Sequence, residues 1–308
     1  MAEITAKLVK DLREKTGAGM MDCKKALNET DGDLEQASDW LRTKGLAAAA
    51  KKAGRVAADG LVGLVADGAN GALIEVNAET DFVARNEQFQ DFVLDMAGLV
   101  MQHGDDIEAL KGQPYPNTDR TVEEQLTHLI STIGENMSLR RAKKISATNG
   151  VIAAYMHGAL KPGVGKIGVL IAMESSGDAE KVSQLGKQVA MHIAASAPES
   201  VSKDDLDQDL VERERTILSD QARDSGKPEE IIAKMVEGRL RKYYEEVCLL
   251  EQTYAIDGET KVSKVLEGAK GDVGGDVSIS SFSRFKLGEG IDKKEEDFAA
   301  EVAKTLGN

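Results

Sequence analysis

The chain has 308 residues, 41% hydrophobic, 30% charged and 4% aromatic; 39 Lys and Arg stand against 53 Asp and Glu, a formal charge of −14. That length allows two or three domains of about 100–200 residues, the acidic balance argues against binding nucleic acid through overall charge, and no apolar run approaches the ~18–20 residues of a membrane span. Met1-Ala2-Glu3-Ile4-Thr5 lacks the basic and apolar regions of a secretory signal, and Cys23 and Cys248 are too few and too distant for a disulfide or zinc framework, so a reducing cytoplasm is expected.

Residues 5–54 read as three short helices and a tail. Thr5 can cap a first helix lined by Leu8, Val9 and Leu12 and ended by Gly17. Met20 to Leu27 supplies a second, with Cys23, Ala26 and Leu27 at helical spacing. Asp33 opens a third, with Gln36 at the capping-box position and Leu34, Ala37, Trp40 and Leu41 as its stripe; Gly45 is expected to stop it. The run Ala47 to Arg55, containing Lys51, Lys52 and Arg55, then reads as a helical linker. So small a three-helix unit usually serves for docking.

After Gly54 the pattern becomes alternating. Leu61–Val65 and Ala72–Val76 are predicted strands joined by the turn Asp67-Gly68-Ala69-Asn70-Gly71. A helix from about Glu87 to Met101, the rigid loop Gln113–Asn117, an amphipathic stretch Val122–Ile133 and a third strand at Met137–Arg141 follow. The order then repeats: Val151–Tyr155 and Ile167–Ile171 as a hairpin, Ala179–Ala195 as a helix, and Val277–Phe282 as the closing strand. Pairing Gly71 with Gly165 gives a shift of 94, and Gly134 with Gly274 a shift of 140, so the second copy carries 46 more residues (140 − 94). The surplus falls at roughly 201–243. There Leu206, Leu210, Val211, Ile217 and Leu218 stripe one helix, and Ile231, Ile232, Met235, Val236 and Leu240 another. Asp224-Ser225-Gly226-Lys227-Pro228 between them makes an antiparallel hairpin, with two ordinary core helices as the alternative. A last amphipathic helix is expected in 288–308, on Phe298, Val302 and Leu306.

Enzyme signatures are missing. Gly163-Val164-Gly165-Lys166-Ile167 lacks the spacing of a P-loop and has Ile167 where the magnesium-binding hydroxyl belongs, so a hairpin turn is the better reading. His103, His128, His157 and His192 never fall in the zinc-protease pattern, and His192, in an apolar run, reads as a hydrogen-bonded core residue. No Gly-x-Ser-x-Gly elbow occurs, and Cys23 has no nucleophile signature. No catalytic residue, cofactor or metal ligand is assigned, and the chain reads as a non-enzyme.

Two segments stand out instead. In Leu12 to Leu27, Met20 and Met21 are adjacent on a helix and cannot face the same core, so at least one is expected as an exposed soft contact, both half-buried being the alternative. In Glu75-Val76-Asn77-Ala78-Glu79-Thr80-Asp81-Phe82-Val83-Ala84-Arg85, Phe82 reads on the residues alone as a core residue capping the next helix; a protruding wedge is the functional alternative.

At these two segments the chain resembles the elongation factor Ts family. Leu12-Arg13-x-x-Thr16-Gly17-Ala18-Gly19-Met20 through Lys24-Lys25-Ala26-Leu27 is similar to the family's first signature, and Glu75-Val76-Asn77 through Thr80-Asp81-Phe82-Val83-Ala84-Arg85 to its second. Met191–Ala195, Gly226-Lys227-Pro228 and Met235–Arg239 extend the likeness along nearly the whole chain. The resemblance implies an α+β protein: a ubiquitin-associated-like three-helix docking domain with linker at 1–54, and a core of two similar α/β subdomains with small antiparallel sheets at 55–148 and at 149–200 with 244–287. An inserted coiled-coil hairpin takes 201–243 and a C-terminal helical module 288–308. It further implies guanine nucleotide exchange on elongation factor Tu, with Thr80, Asp81, Phe82 and Val83 displacing the partner's magnesium. Arg13, Met20, Met21, Lys24, Lys52, Ile133 and His157 are the implied further partner contacts. Asp81 is expected to set the Phe82 wedge by hydrogen bonding or charge. The hairpin is left to contact the partner, a second copy, or both. Direct nucleic-acid and membrane binding are not expected; an acidic adaptor without exchange activity is the rival function.

Overall fold

The computed structural model describes residues 4–224 and 226–292; the helix expected on Phe298, Val302 and Leu306 lies outside them. Three helices come first. Helix α1 (Ala6–Thr16) is capped by the Thr5 hydroxyl, which accepts from Leu8 N–H at 3.3 Å, and ends at Gly17, whose left-handed φ of 67° lets its N–H donate to the Arg13 carbonyl. Helix α2 (Met20–Glu29) follows, and α3 (Leu34–Lys52) begins where the Asp33 carboxylate accepts from the N–H groups of Glu35 and Gln36. The reciprocal half of a capping box is missing, because Gln36 Nε2 turns to Asp33 Oδ2 instead. Leu12, Cys23, Ala26, Leu27 and Ala37 close a small core of their own.

The first lobe of the core starts with a hairpin of β1 (Asp59–Asp67) and β2 (Asn70–Ala78), turned by Gly68 at φ 55°. Helices α4 (Glu87–His103), α5 (Ile107–Lys111) and α6 (Val122–Ile133) lead to β3 (Met137–Ser146), which returns antiparallel beside β2. Helix α5 is a single short turn with too little periodicity to be read from sequence. The Gln113–Asn117 loop carries buried Tyr115, whose hydroxyl donates to Asp95 Oδ2 at 2.6 Å.

The second lobe repeats this plan. Strands β4 (Gly150–His157), β5 (Val164–Gly165) and β6 (Ile167–Glu174) lead through α7 (Ala179–Ser196), α8 (Gln208–Arg223), α9 (Glu229–Val247) and α10 (Val262–Val273) to β7 (Ser278–Lys286). The sheets run β3-β2-β1-β5 and β4-β6-β7. Each closing strand carries one extra residue at the same place, Arg140 of β3 opposite the Glu75–Val76 step and Ser280 of β7 opposite the Ala172–Met173 step. Helices α6 and α10 both end on a left-handed glycine, Gly134 and Gly274.

The sheets pack face to face over Val62, Leu64, Leu73, Ile145, Ile152, Leu170 and Phe285. Helices α4 and α6 cover the outer face of the first, α7 and α10 that of the second. This contact corrects the repeat alignment. A Cβ on Gly71 would lie 2.7 Å from Ile152 and 3.0 Å from Leu170; one on Gly168 would lie 2.6 Å from Leu73 and 2.9 Å from Val62. Gly71 and Gly168 are therefore the matching pair, each bare so that the opposite sheet can approach. The shift is 97, and the surplus in the second lobe is 43 residues (140 − 97). Gly165, paired with Gly71 on sequence alone, belongs to β5. That short strand crosses over to extend the first sheet, Val62 opposite Gly165 and Gly63 opposite Val164, with Val164 buried in the first lobe's core. The turn expected at Gly163–Ile167 thus ties the lobes together.

The surplus includes the antiparallel pair α8 and α9, which closes over Leu218, Ala222, Ile232, Val236 and Leu240. Leu206 precedes α8 rather than striping it, and Leu210, Ile217 and Ile231 face solvent. The expected stripes were wider than the seam between two helices needs.

Gly45 does not stop α3, which runs on through the expected linker to Lys52. Gly45 lies buried against α6, where a Cβ would stand in ordinary contact 3.4 Å from Ser131 Oγ, so the close helix approach leaves room for a methyl group but not for a larger side chain. A mid-helix glycine costs about 1 kcal/mol relative to alanine, and the alanines at 47–50 and this packing offset it. The three-helix unit is seated on α6 at further points: Gly17 lies against the His128 ring, Arg42 pairs with Glu124 at 3.8 Å, and Lys52 Nζ donates to the Ile130 carbonyl at 3.4 Å.

Beyond β7 the chain is fastened by Glu75. This fully buried carboxylate accepts from Arg140 at 2.8 Å, Arg141 at 2.6 Å, Gly288 N–H at 2.8 Å and Asn77 at 3.1 Å. Burial pushes its pKa up, but the donors outweigh burial and hold it below the ordinary value.

Candidate functional site

Among the described residues, no three His, Cys, Asp or Glu side chains gather as a metal site. An open hollow lined by Asn149, Ser175, Ser176 and Val182 holds no titratable side chain. His192 is a core residue as expected: Ala255 N–H donates to its Nδ1 at 3.1 Å, which leaves Nε2–H to donate to Gln252 Oε1 at 2.8 Å. Burial lowers its pKa. His128, half-buried under the three-helix unit, is pushed down to about 4 by burial and by the charge of Arg120. Both rings are neutral at pH 7.

The segment after β2 is built differently. Glu79 accepts from Asn136 N–H at 2.5 Å and pairs with Arg55 at 3.4 Å. Thr80 donates its backbone N–H to Glu135 Oε2 at 2.9 Å and its hydroxyl to Glu135 Oε1 at 2.6 Å. Val83 and Ala84 plunge into the first lobe's core, and the turn Val83–Arg85 passes to Asn86, whose side-chain oxygen caps α4. Gln90 Nε2 adds a bond back to the Ala84 carbonyl at 2.8 Å. Between these anchors, Phe82 is 73% exposed. The core reading of Phe82 fails because Val83 and Ala84 already fill the inward positions of the turn. Asp81 is exposed and makes no hydrogen bond or ion pair with any described residue; the hydrogen bonding expected of it falls to Glu135.

Ile133 ends α6, half-buried on the core and two residues before the Glu135 clamp, so it is brought beside the Phe82 loop. His157 is the exposed last residue of β4, its Nδ1 3.1 Å from the Tyr155 hydroxyl; no bond among the described residues joins it to that loop. On the three-helix unit, Cys23, Ala26 and Leu27 take the inner face of α2, leaving Met20 60% exposed, Met21 75% exposed and Lys24 outward, with Arg13 outward on α1. Both methionines face solvent, which meets the expectation of at least one exposed and rules out the half-buried alternative. Lys52 is half-buried and already engaged by α6. Arg55, Glu79, Glu135 and Asn136 were missed. Gly134-Glu135-Asn136 looks like any helix-to-strand turn, and nothing local shows that Glu135 reaches back to Thr80.

Large apolar side chains held outward on two units, Phe82 on the core and Met20 with Met21 on the helical unit, define a protein that works by contact with another surface. Comparison with known proteins makes that class specific. The family model described as elongation factor TS matches residues 79–289. The chain is 64% identical over 307 residues to elongation factor Ts of Rhodospirillum centenum, covering all of both chains, and 61% identical to that of Rhodospirillum rubrum, covering 99% of each. It is 60% identical to that of Paramagnetospirillum magneticum, covering all of this chain and 98% of the relative. The chain belongs to the elongation factor Ts family and is a translation elongation factor.

Proposed function

We propose that this chain is a guanine nucleotide exchange factor for elongation factor Tu, acting by a Phe82 wedge while the three-helix unit holds the partner. The reading rests on family membership and on one observation: a bare Phe82 between anchors that fix the backbone on both sides. A GTPase releases GDP slowly because its phosphate loop and magnesium ion grip the nucleotide. An exchange factor forms no covalent bond. It binds the nucleotide-free partner better than the loaded one, and by reciprocity each nucleotide weakens the factor by the same coupling free energy.

A 1,000-fold faster release needs about 4 kcal/mol off the barrier. Burying Phe82 between elements of the partner supplies roughly 1.5–3 kcal/mol, provided the cavity exists only in the distorted partner. Thr80 and Val83 serve from below, one clamped and one buried, so that the wedge does not retreat under load. Asp81 adds a charge beside it, and the partner's magnesium is loosened indirectly. Arg13, Met20, Met21 and Lys24 form the holding patch, with Ile133, Lys52 and His157 as further contacts.

The test is release of a fluorescent GDP analogue from elongation factor Tu, with and without this protein. Acceleration at substoichiometric amounts is expected. Tight binding without acceleration favours the adaptor instead.

A further inference from the structure

We infer that Met20 and Met21 form an oxidation site whose conversion to methionine sulfoxide releases the chain from its partner; this rests on the docking role proposed for that patch. Nine methionines fall in the described residues, and their surroundings differ sharply. Met96, Met137 and Met173 are buried, and Met101, Met156 and Met235 half-buried. Met20 and Met21 are 60% and 75% exposed, and Met191, on α7, is 41% exposed. Oxidation follows access to the sulfur, so a peroxide meets the adjacent pair first. Thiols do not compete well: both Cys23 and Cys248 are buried, and burial raises each thiol's pKa, keeping it protonated.

The chemistry is complete with hydrogen peroxide as oxidant. The thioether sulfur attacks one peroxide oxygen, the S–O bond forms as the O–O bond breaks, and the sulfur loses two electrons. The departing hydroxide takes the proton left on the transferred oxygen and leaves as water. A flexible apolar side chain becomes a polar, chiral one. The first turn of α2 has Gly19 at its cap and no side-chain acceptor, so its free N–H groups can receive the new sulfoxide oxygen and draw the side chain back from the patch. The partner would cover both sulfurs, so the reaction acts on the free factor.

The experiment treats the full chain with hydrogen peroxide, maps added oxygen by peptide mass spectrometry, and measures affinity for elongation factor Tu and Tm before and after. Met20 and Met21 should oxidise ahead of the buried methionines, and bound partner should protect them. Affinity should fall about tenfold or more, as expected when one buried methionine contact is lost. Tm should hold, and methionine sulfoxide reductases acting on both epimers should restore binding. The M20L/M21L chain, whatever its starting affinity, should lose nothing on treatment, whereas M191L should lose as much as the parent. Oxidation of buried methionines first, a loss of affinity accompanied by a lower Tm, or unchanged binding with the pair fully oxidised overturns the switch. A chain that binds no partner before treatment overturns the docking reading as well, which keeps the two failures apart.

Discussion

Replacing Phe82 by alanine separates its contribution to folding from its contribution to exchange. A fully buried Phe→Ala change costs about 3–5 kcal/mol. Phe82 is 73% exposed, so only about a quarter of that burial is at stake within the chain, an expected loss of about 1 kcal/mol. In a protein of this size that is a Tm shift of about 1–2 °C. The exchange reaction should suffer far more. If the side chain is buried only in the distorted partner, losing some 2–3 kcal/mol of differential contact slows GDP release by about 30- to 160-fold. Affinity for nucleotide-free partner should fall further than affinity for the GDP-bound form. Stopped-flow release of a labelled GDP, with calorimetric melts on the same preparation, measures both. A Tm loss of many degrees, or a release rate equal to the parent's, refutes the wedge.

Other outcomes follow from the same geometry. Glu135→Ala removes the acceptor of both Thr80 bonds; amide exchange across 80–85 should quicken and GDP release slow while Phe82 is still present, and an unchanged exchange pattern would show that Val83 and Ala84 suffice. Gly45→Ala should stabilise the chain by about 1 kcal/mol in urea unfolding, since its Cβ meets only ordinary contact, whereas Gly45→Leu should lift α3 from α6 and destabilise. Burial holds the folded pKa of His128 at about 4 and that of His192 below its usual value, so the unfolded chain binds more protons in acid. Their contribution to stability should be complete above about pH 6.5 and decline toward pH 4, by on the order of 2–3 kcal/mol for His128. A urea midpoint that stays flat across that window counts against both assignments.

What could be read from the chain alone was whatever is decided within a few residues. Thr5, Gly17 and Asp33 fix the ends of their helices by bonds to neighbours, and β1 and β2 pair with each other across one short turn, although both are buried on two faces rather than alternating. The failures share one cause. Gly45 satisfies a local stop rule, but Ser131, far along the chain, decides its role. Gly71 found the wrong mate because two glycines stand close together in the second lobe, and only the approach of the sheets distinguishes Gly168 from Gly165. Phe82 was ambiguous for the same reason: its exposure depends on Glu135 and on which neighbours reach the core. The resemblance to a family singled out the residues proposed for partner contact; the fold shows how each of them is held.

Under the proposed function, the unbroken course of α3 changes how the two proposed contacts add. Joined by a slack tether, a second patch would search a volume set by the tether and bind as if at millimolar concentration. Here the 19-residue α3 seats the helical unit directly on α6, so the methionine patch and the phenylalanine share one frame. Once either is engaged, the other arrives with its direction as well as its distance set. Strain produced at the tip can then be borne at the grip instead of being lost in slack chain, as in a lever whose handle and tip share one shaft.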